Sequence, residues 1–274
     1  METIVLGFDG SEASTVALDW VAERAAGRPT HVEIVKIGGT LLQDDDGRDI
    51  GLMEAEHRVR DRAPDAEIES HRLVGKMPDA LLDRARGADL LVVGARRGRA
   101  IWSTPRWMPL RVASRSRTPV VVVPDDWDPT TGRVVLGLDD DDSSGAAEVF
   151  AAREAAHART PLALVHTWTM PHPQMEGSVA LLASPIEARA VQRRILRDAA
   201  ARAQAVHPDL VIEQILEQSN PASALLRAAH GASLLVLGTH HRGPLTGAVL
   251  GSIGHDVLSQ CRTPVCVVPG DEPT

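Results

Sequence analysis

The sequence predicts an α/β protein made of two tandem doubly wound domains, each with a five-stranded parallel sheet. Three similar sequence segments (the repeated phrases below) occur once in each half and in the same order, which indicates a duplicated fold. Short β-branched runs alternate with longer helical patterns, and the strand runs are almost continuously apolar, as expected when helices cover both faces of a sheet. The repeated phrases are residues 4–9 and 134–139, residues 87–94 and 231–238, and residues 117–124 and 262–269.

The first half begins with a strand and then alternates helices with strands. Ser11 is the predicted N-cap of the first helix, and Gly27 with Pro29 marks its predicted end. Pro78 and Gly87 are expected to begin and end a later helix. The predicted strands are residues 3–9, 31–37, 68–74, 90–93 and 120–123, and a further helix is predicted over residues 50–62.

The second half repeats this order with one addition. Residues 184–187 (Ser-Pro-Ile-Glu) form a capping box with proline at the first helical position, which predicts a long helix to about Val206. A long loop over residues 168–183 precedes it and is placed to cover a site or a partner surface. The predicted strands are residues 133–139, 162–168, 210–217, 233–238 and 264–268, and the other predicted helices are residues 144–159, 221–230 and 252–260.

A short polar segment over residues 125–132 separates the two halves. It predicts a boundary between a first domain over residues 1–126 and a second over residues 132–270. The 274 residues are enough for two domains of ordinary size, each with its own core.

Composition favours a cytoplasmic protein. The net charge of -8 argues against nucleic acid as the main partner, because that partner selects basic surfaces. We expect no targeting segment and no membrane span, since no apolar run approaches the length of one. The two cysteines, Cys261 and Cys266, lie in the second half alone and are interpreted as packing residues in a reducing compartment.

A candidate phosphate site follows the first and fourth predicted strands of the second half. Doubly wound sheets bind ligands at the carboxyl ends of their strands, where the strand order reverses. Residues 137–139 leave the first strand there, and residues 238–243 leave the fourth in a glycine-rich loop that ends at Gly251 and Ser252. Ser252 is expected to cap the next helix, whose N-terminus attracts anions. The loop is neither a P-loop nor a G-x-G-x-x-G dinucleotide motif.

At this point the chain resembles the universal stress protein family in its tandem form, over nearly its full length. The resemblance is carried by Gly-x-Asp-Gly-Ser at residues 7–11, by Leu-Val-Val-Gly at residues 91–94, and by the two Arg-Thr-Pro-Val phrases. It implies a five-stranded parallel sheet in each domain, pairing through the last strands, and association of two chains into a homodimer. It also implies, for one branch, ATP bound by a Gly-x2-Gly-x9-Gly-Ser/Thr loop with an Asp after the first strand.

Carried over by resemblance, the ATP site, with or without Mg²⁺, belongs to the second half only. The chain departs from the pattern at the loop's second glycine, which is His241. If that position needs a positive φ, a non-glycine costs about 1–2 kcal/mol there, equivalent to roughly tenfold in affinity. The alternative is that the His241 side chain donates to a phosphate, in which case the affinity falls as the pH rises through the histidine range. Residues 166–167 would supply the contact from the second strand. The expected binding residues are Gly137, Leu138, Asp139, Thr167, Gly238, Thr239, His241, Arg242, Gly243, Gly251, Ser252 and Ile253.

The first half is expected not to bind ATP in the family manner. Arg97 replaces the second glycine, and the loop is one residue shorter. The Gly-Ser position becomes Trp107-Met108 or Arg106-Trp107, depending on the direction of alignment. Trp102 and Trp107 are interpreted as side chains that fill the crevice or line an interface, and the arginines around them as an exposed basic loop.

Three functions are weighed. The leading one is a nucleotide-responsive regulatory or protective stress protein without enzymatic activity, because no nucleophile has a base evident in the sequence. The second is a structural or assembly module that binds no nucleotide and uses its sheet edges and the 168–184 loop. The third is a slow nucleotide hydrolase or transferase. No metal site is expected, since His240 and His241 lack partners at metal spacing. A phosphorylated receiver domain is disfavoured because the Lys expected near its last strand is absent from both halves.

Overall fold

A computed structural model of the chain describes residues 1–38, 49–96, 107–139, 145–169, 185–239 and 251–270. The strands of the first half are β1 (Glu2–Gly7), β2 (Thr30–Gly38), β3 (Glu67–Val74), β4 (Leu90–Ala95) and β5 (Val120–Pro124). Its helices are α1 (Glu12–Ala26), α2 (Ile50–Arg62), α3 (Asp79–Arg84) and α4 (Met108–Arg115). The strands of the second half are β6 (Val134–Leu138), β7 (Leu162–Thr167), β8 (Ile212–Glu217), β9 (Leu234–Gly238) and β10 (Val265–Val268). Its helices are α5 (Gly145–Ala158), α6 (Pro185–Val206), α7 (Pro221–Ala228) and α8 (Ser252–Gln260).

The two halves share a ten-stranded sheet with the order β3-β2-β1-β4-β5-β10-β9-β6-β7-β8. Strands are parallel within each half, and β5 and β10 pair antiparallel at the centre. Cys266 pairs with Val121 there, with Val265 opposite Val122 and Val267 opposite Val120. Val121 and Cys266 hold the same place in the repeated phrase, so a pseudo-two-fold axis passes between them. The pairing through last strands that the family resemblance implies therefore occurs inside one chain.

Helices cover both faces of the sheet, which explains the continuous apolar strands. Helices α1, α2, α5 and α6 pack on one face, and α3, α4, α7 and α8 pack on the other. The core under the first group is continuous across the axis, since it contains Leu18 of the first half and Phe150 of the second. Both cysteines are buried thiols that are not joined in a disulfide, in agreement with a packing role. Within the part of the chain that the structure describes, every helix is too short or too polar to cross a membrane.

Most predicted elements are present, with ends shifted by one or two residues. Ser11 caps α1 as predicted, accepting a hydrogen bond from the Ser14 amide at 3.2 Å. The prediction that Ser252 caps α8 is wrong, because Gly251 is the N-cap residue and Ser252 is the first helical residue. Helix α3 ends at Arg84, and Gly87 lies beyond it at φ +84°, where the absence of a side chain removes the strain of a left-handed turn.

Each Arg-Thr-Pro-Val phrase has a structural function that is the same in both halves. The Thr118 hydroxyl donates to the Ala85 carbonyl at 2.7 Å, and the Thr263 hydroxyl donates to the Ala229 carbonyl at 2.6 Å. Each carbonyl belongs to the residue that ends the preceding helix, where helical partners are missing. The motif thus ties the last strand of each half to the helix before its fourth strand.

Candidate functional site

The topology places one crevice in each half. Strand β6 lies between β9 and β7, and β1 lies between β4 and β2, so the chain leaves the central strand in opposite directions. The carboxyl ends of β6 and β9, and of β1 and β4, are therefore the switch points where doubly wound sheets hold ligands. Because β5 and β10 are antiparallel, the strands of the two halves point in opposite directions. The two crevices therefore lie at opposite ends of the strands.

The described residues of the second-half crevice combine an exposed carboxylate with an exposed helix start. Asp139 is exposed directly after β6, and Gly238 and Thr167 end the neighbouring strands β9 and β7. Helix α8 begins at this edge with Gly251, Ser252 and Ile253 all exposed. The amides of a first helical turn have no partner within the helix and carry the positive end of its dipole, so they suit a phosphate.

Gly251 leaves this helix start open. Among the residues that the structure describes, a Cβ built on it would meet no atom within 4 Å. Its φ of -55° is also available to any residue. The backbone therefore does not require glycine here, and the residue that stands at this position decides how much room is left before the helix.

Three predicted binding residues have structural roles in packing or hydrogen bonding. The Leu138 side chain is buried, and its carbonyl accepts from His166 Nδ1 at 3.0 Å. A Cβ on Gly137 would lie 2.9 Å from Leu225 Cδ2, which explains the glycine by packing. Thr239 is buried, and its hydroxyl accepts from the Gly270 amide at 3.2 Å. The predicted residues His241, Arg242 and Gly243 lie outside the described residues.

Gln192 joins the crevice although no sequence signal singled it out. His166, at the end of β7, is buried and lies 2.6 Å from Gln192 on α6 through its Nε2. The two ring nitrogens of His166 thus contact the Leu138 carbonyl and Gln192 Oε1. This pair fixes α6 against the end of β6, next to Asp139.

In the first half, Asp9 stands in the place of Asp139, and Trp107 stands at the corresponding helix start. The Asp9 carboxylate accepts from the Ser11 amide at 2.9 Å. Burial alone would raise the pKa of Asp9, but hydrogen bonds from Ser11 and Ser14 outweigh it and lower the pKa. Trp107 is the N-cap of α4, the position of Gly251 in α8, and only 5% of it is exposed. The helix starts thus settle the alignment that matches Trp107 with Gly251.

Gly94 is retained in the first half for a structural reason. A Cβ on it would fall 2.1 Å from the carbonyl oxygen of Ala13 in α1. The N-terminal turn of α1 therefore packs directly on the end of β4. The presence of this glycine in the loop motif is no sign of a bound ligand, and its replacement would disturb the fold.

Within the ranges that the structure covers, no group of three or more His, Cys, Asp or Glu side chains is arranged to hold a metal ion.

The fold and the crevice define a tandem doubly wound α/β protein with a candidate anion site in its second half. The sequence profile of the Universal stress protein family matches residues 1–124 and 130–269, and the chain belongs to this family. Universal stress protein Rv1996 of Mycobacterium tuberculosis is 27% identical over 309 residues, covering 98% of this chain and 96% of its own.

Solved structures share the whole two-domain fold. A universal stress protein from Archaeoglobus fulgidus superposes with a TM-score of 0.72 at 16% identity, covering 97% of this chain and 98% of its own. A putative universal stress protein from Pseudomonas aeruginosa gives a TM-score of 0.66 at 18% identity, covering 99% and 94%.

Proposed function

We propose that this universal stress protein is a nucleotide-responsive regulatory or protective protein that holds ATP, with or without Mg²⁺, in the second-half crevice. The observation that carries the proposal is the contrast at the two helix starts. Gly251 is exposed and a Cβ on it would meet no described atom within 4 Å, whereas a buried Trp107 stands at the same position in the first half. An exposed Asp follows the first strand of both halves, so within the described residues it is the helix start that distinguishes the second half.

The chemistry of the described residues suits an adenine nucleotide. The amides at the start of α8 are donors for a phosphate group, and Asp139 is an acceptor for ribose hydroxyls or the adenine amino group. These two features lie at the ends of different elements on one edge of the sheet. The proposed role is binding that changes what the protein presents to others, and it includes no catalytic step.

Thermal unfolding with and without ATP and Mg²⁺ tests the proposal. A ligand that binds only the folded state at ten times its Kd stabilises it by about 1.4 kcal/mol, which is several degrees in the midpoint for a chain of this size. Asp139→Ala should reduce the ATP-dependent shift, whereas Asp9→Ala, the matched change in the first half, should leave it intact. An unchanged midpoint at millimolar ATP would rule out the nucleotide function.

A second candidate is assembly without a nucleotide. The shared sheet leaves β3 and β8 as its two edge strands, and an edge strand presents unpaired backbone groups to another chain. A homodimer is proposed on the same ground. Light scattering on the purified chain, with and without ATP, separates a nucleotide-independent oligomer from a nucleotide-dependent one.

A third candidate is slow hydrolysis of a bound nucleotide, in which water attacks the triphosphate. It requires release of phosphate that disappears when Asp139 or Ser252 is replaced. Binding with no turnover would remove it and leave the leading proposal in place.

A further inference from the structure

A buried group of four charges joins the two halves on the α1 and α5 side of the sheet. Arg24 on α1 donates to both carboxylate oxygens of Glu154 on α5, at 2.7 and 2.8 Å. It also donates twice to Glu2, at 2.7 and 2.9 Å, and Arg28 lies 3.4 Å from Glu154. The side chains of Arg24 and Glu154 are 7% and 4% exposed. We refer to Glu2, Arg24, Arg28 and Glu154 as the ion cluster.

Arg24 and Glu154 stand at equivalent positions of the duplicated fold. They are 130 residues apart in the chain, as are Asp9 and Asp139 after the first strands. The axis between Val121 and Cys266 relates the two halves, and equivalent residues face each other close to such an axis. Arg24 and Glu154 therefore occupy the same position in the two repeats and contact each other across the axis. The first repeat has a positive charge there, and the second has a negative one.

The other two members of the ion cluster also make the charge of the two halves different. Glu2 and Arg28 both belong to the first half, and their counterparts in the second half are Gly132 and Ala158, which carry no charge. The first half thus contributes a net charge of +1 to the ion cluster and the second half contributes -1. The observed pairing is neutral, whereas two first halves would bury +2 and two second halves would bury -2.

We propose that Arg24 and Glu154 decide which partner the last-strand surface of each half accepts. That partner is a half with the opposite charge at this position, which is the other half of the same chain, and a copy of the same half is rejected. The backbone pairing of β5 with β10 gives no such preference, because two identical last strands pair equally well around a two-fold axis. Desolvated like charges oppose the identical pairing, because juxtaposed like charges in an interface are strongly unfavourable.

The test uses the full-length chain with a protease site inserted in the exposed linker between Asp128 and Pro129. The chain is folded intact and then cut, one preparation with natural isotopes and one labelled with ¹⁵N. After mixing, native mass spectrometry counts pairs of unlike halves and pairs of like halves. The wild-type chain should exchange only into pairs of one first half and one second half.

The decisive variant is Arg24→Met with Glu154→Met, because a buried ion pair replaced by apolar side chains of similar size commonly retains stability. It should raise the share of like-half pairs at least about tenfold, which a merely stabilising contact would not do. Arg24→Gln with Glu154→Gln serves the same purpose if the methionine variant does not fold.

The matched control is Arg202→Met with Glu148→Met, which removes a paired Arg and Glu inside the second half and should leave the distribution of pairs unchanged. Like-half pairs in the wild-type preparation at a share equal to that of the methionine variant would overturn the proposal. So would a methionine and a glutamine variant that both keep only unlike pairs.

Discussion

Trp107 and Gly251 occupy the same position in the two halves, the residue immediately before the helix that leads to the last strand. The amide of the fourth residue after each one donates to its carbonyl, at the same distance of 3.1 Å. The φ angles of the two residues are also similar, -60° and -55°, although their ψ angles of 118° and 175° differ. A buried indole stands at one start, whereas a Cβ at the other would meet no atom of the described residues within 4 Å.

Gly251→Trp should abolish the ATP-dependent rise in the thermal midpoint while leaving the unliganded midpoint within about a degree of wild type. A Cβ there meets no atom of the described residues within 4 Å and the φ of -55° suits any residue, so the folded state is not strained, but the indole would occupy the space before the α8 amides. Thermal unfolding with and without ATP and Mg²⁺ measures both quantities. The control is Gly38→Trp, at the end of β2 in the first half, where a Cβ would also meet no described atom within 4 Å. This variant should keep the full ATP shift.

Trp107→Ala should lower the free energy of unfolding by about 3–5 kcal/mol, because it leaves a cavity in the core under α3 and α4. Chemical denaturation gives this value directly. Trp107→Phe, which keeps most of the volume, should lose much less. Neither change should create a second ATP response, because Arg97 and the shorter loop of the first half remain. A doubled ATP stoichiometry in the alanine variant would contradict this account.

Gly94→Ala should destabilise the chain by about 3 kcal/mol or more, since the new methyl group would overlap the Ala13 carbonyl and force α1 away from the sheet. The matched change Gly251→Ala should have almost no effect on the unliganded protein. Urea titrations of both variants measure the difference. Equal stability of the two variants would mean that α1 does not pack on β4 as closely as described.

Acid should weaken the contact between the halves through Glu154. Burial raises the pKa of this carboxyl, but Arg24 and Arg28 outweigh burial and lower it from 4.5 to about 2. The unfolded chain binds the proton more readily than the folded one, so the stabilisation is complete above about pH 4.5 and is lost as the pH falls toward 2. Its size is on the order of 3 kcal/mol.

Denaturant unfolding of wild type and Glu154→Gln at pH 7, 4.5 and 3 measures this effect. The wild-type advantage should be constant between pH 7 and about 4.5 and should shrink at pH 3. Glu148→Gln, at a more exposed pair of the same half, is the control. A difference that is independent of pH down to 3 would show that the glutamate carries no such linkage.

The fold could be predicted from the sequence because its signals are local and repeated. Apolar strand runs and caps such as Ser11 appear twice or follow simple rules of backbone geometry. The sequence does not predict helix α4, because Pro109 and three basic or polar residues interrupt its pattern, although it predicts the counterpart over residues 252–260. Alignment of the repeats was the signal that could have found it.

The site was less predictable, because the same residue types serve both packing and binding. Gly137 and Gly94 belong to the family motif, yet close contacts with Leu225 and Ala13 account for both. Gln192 reaches His166 from a helix far along the chain, which only the folded structure can reveal. His241, at the one departure from the loop motif, stays a prediction.

Because β5 and β10 pair antiparallel, the molecule has one crevice at each of two opposite ends of its strands. A protein that recognises the edge carrying Asp139 and Gly251 leaves the edge carrying Asp9 and Trp107 uncovered, because the two face away from each other. The two crevices can therefore be contacted at the same time by two different molecules without competition.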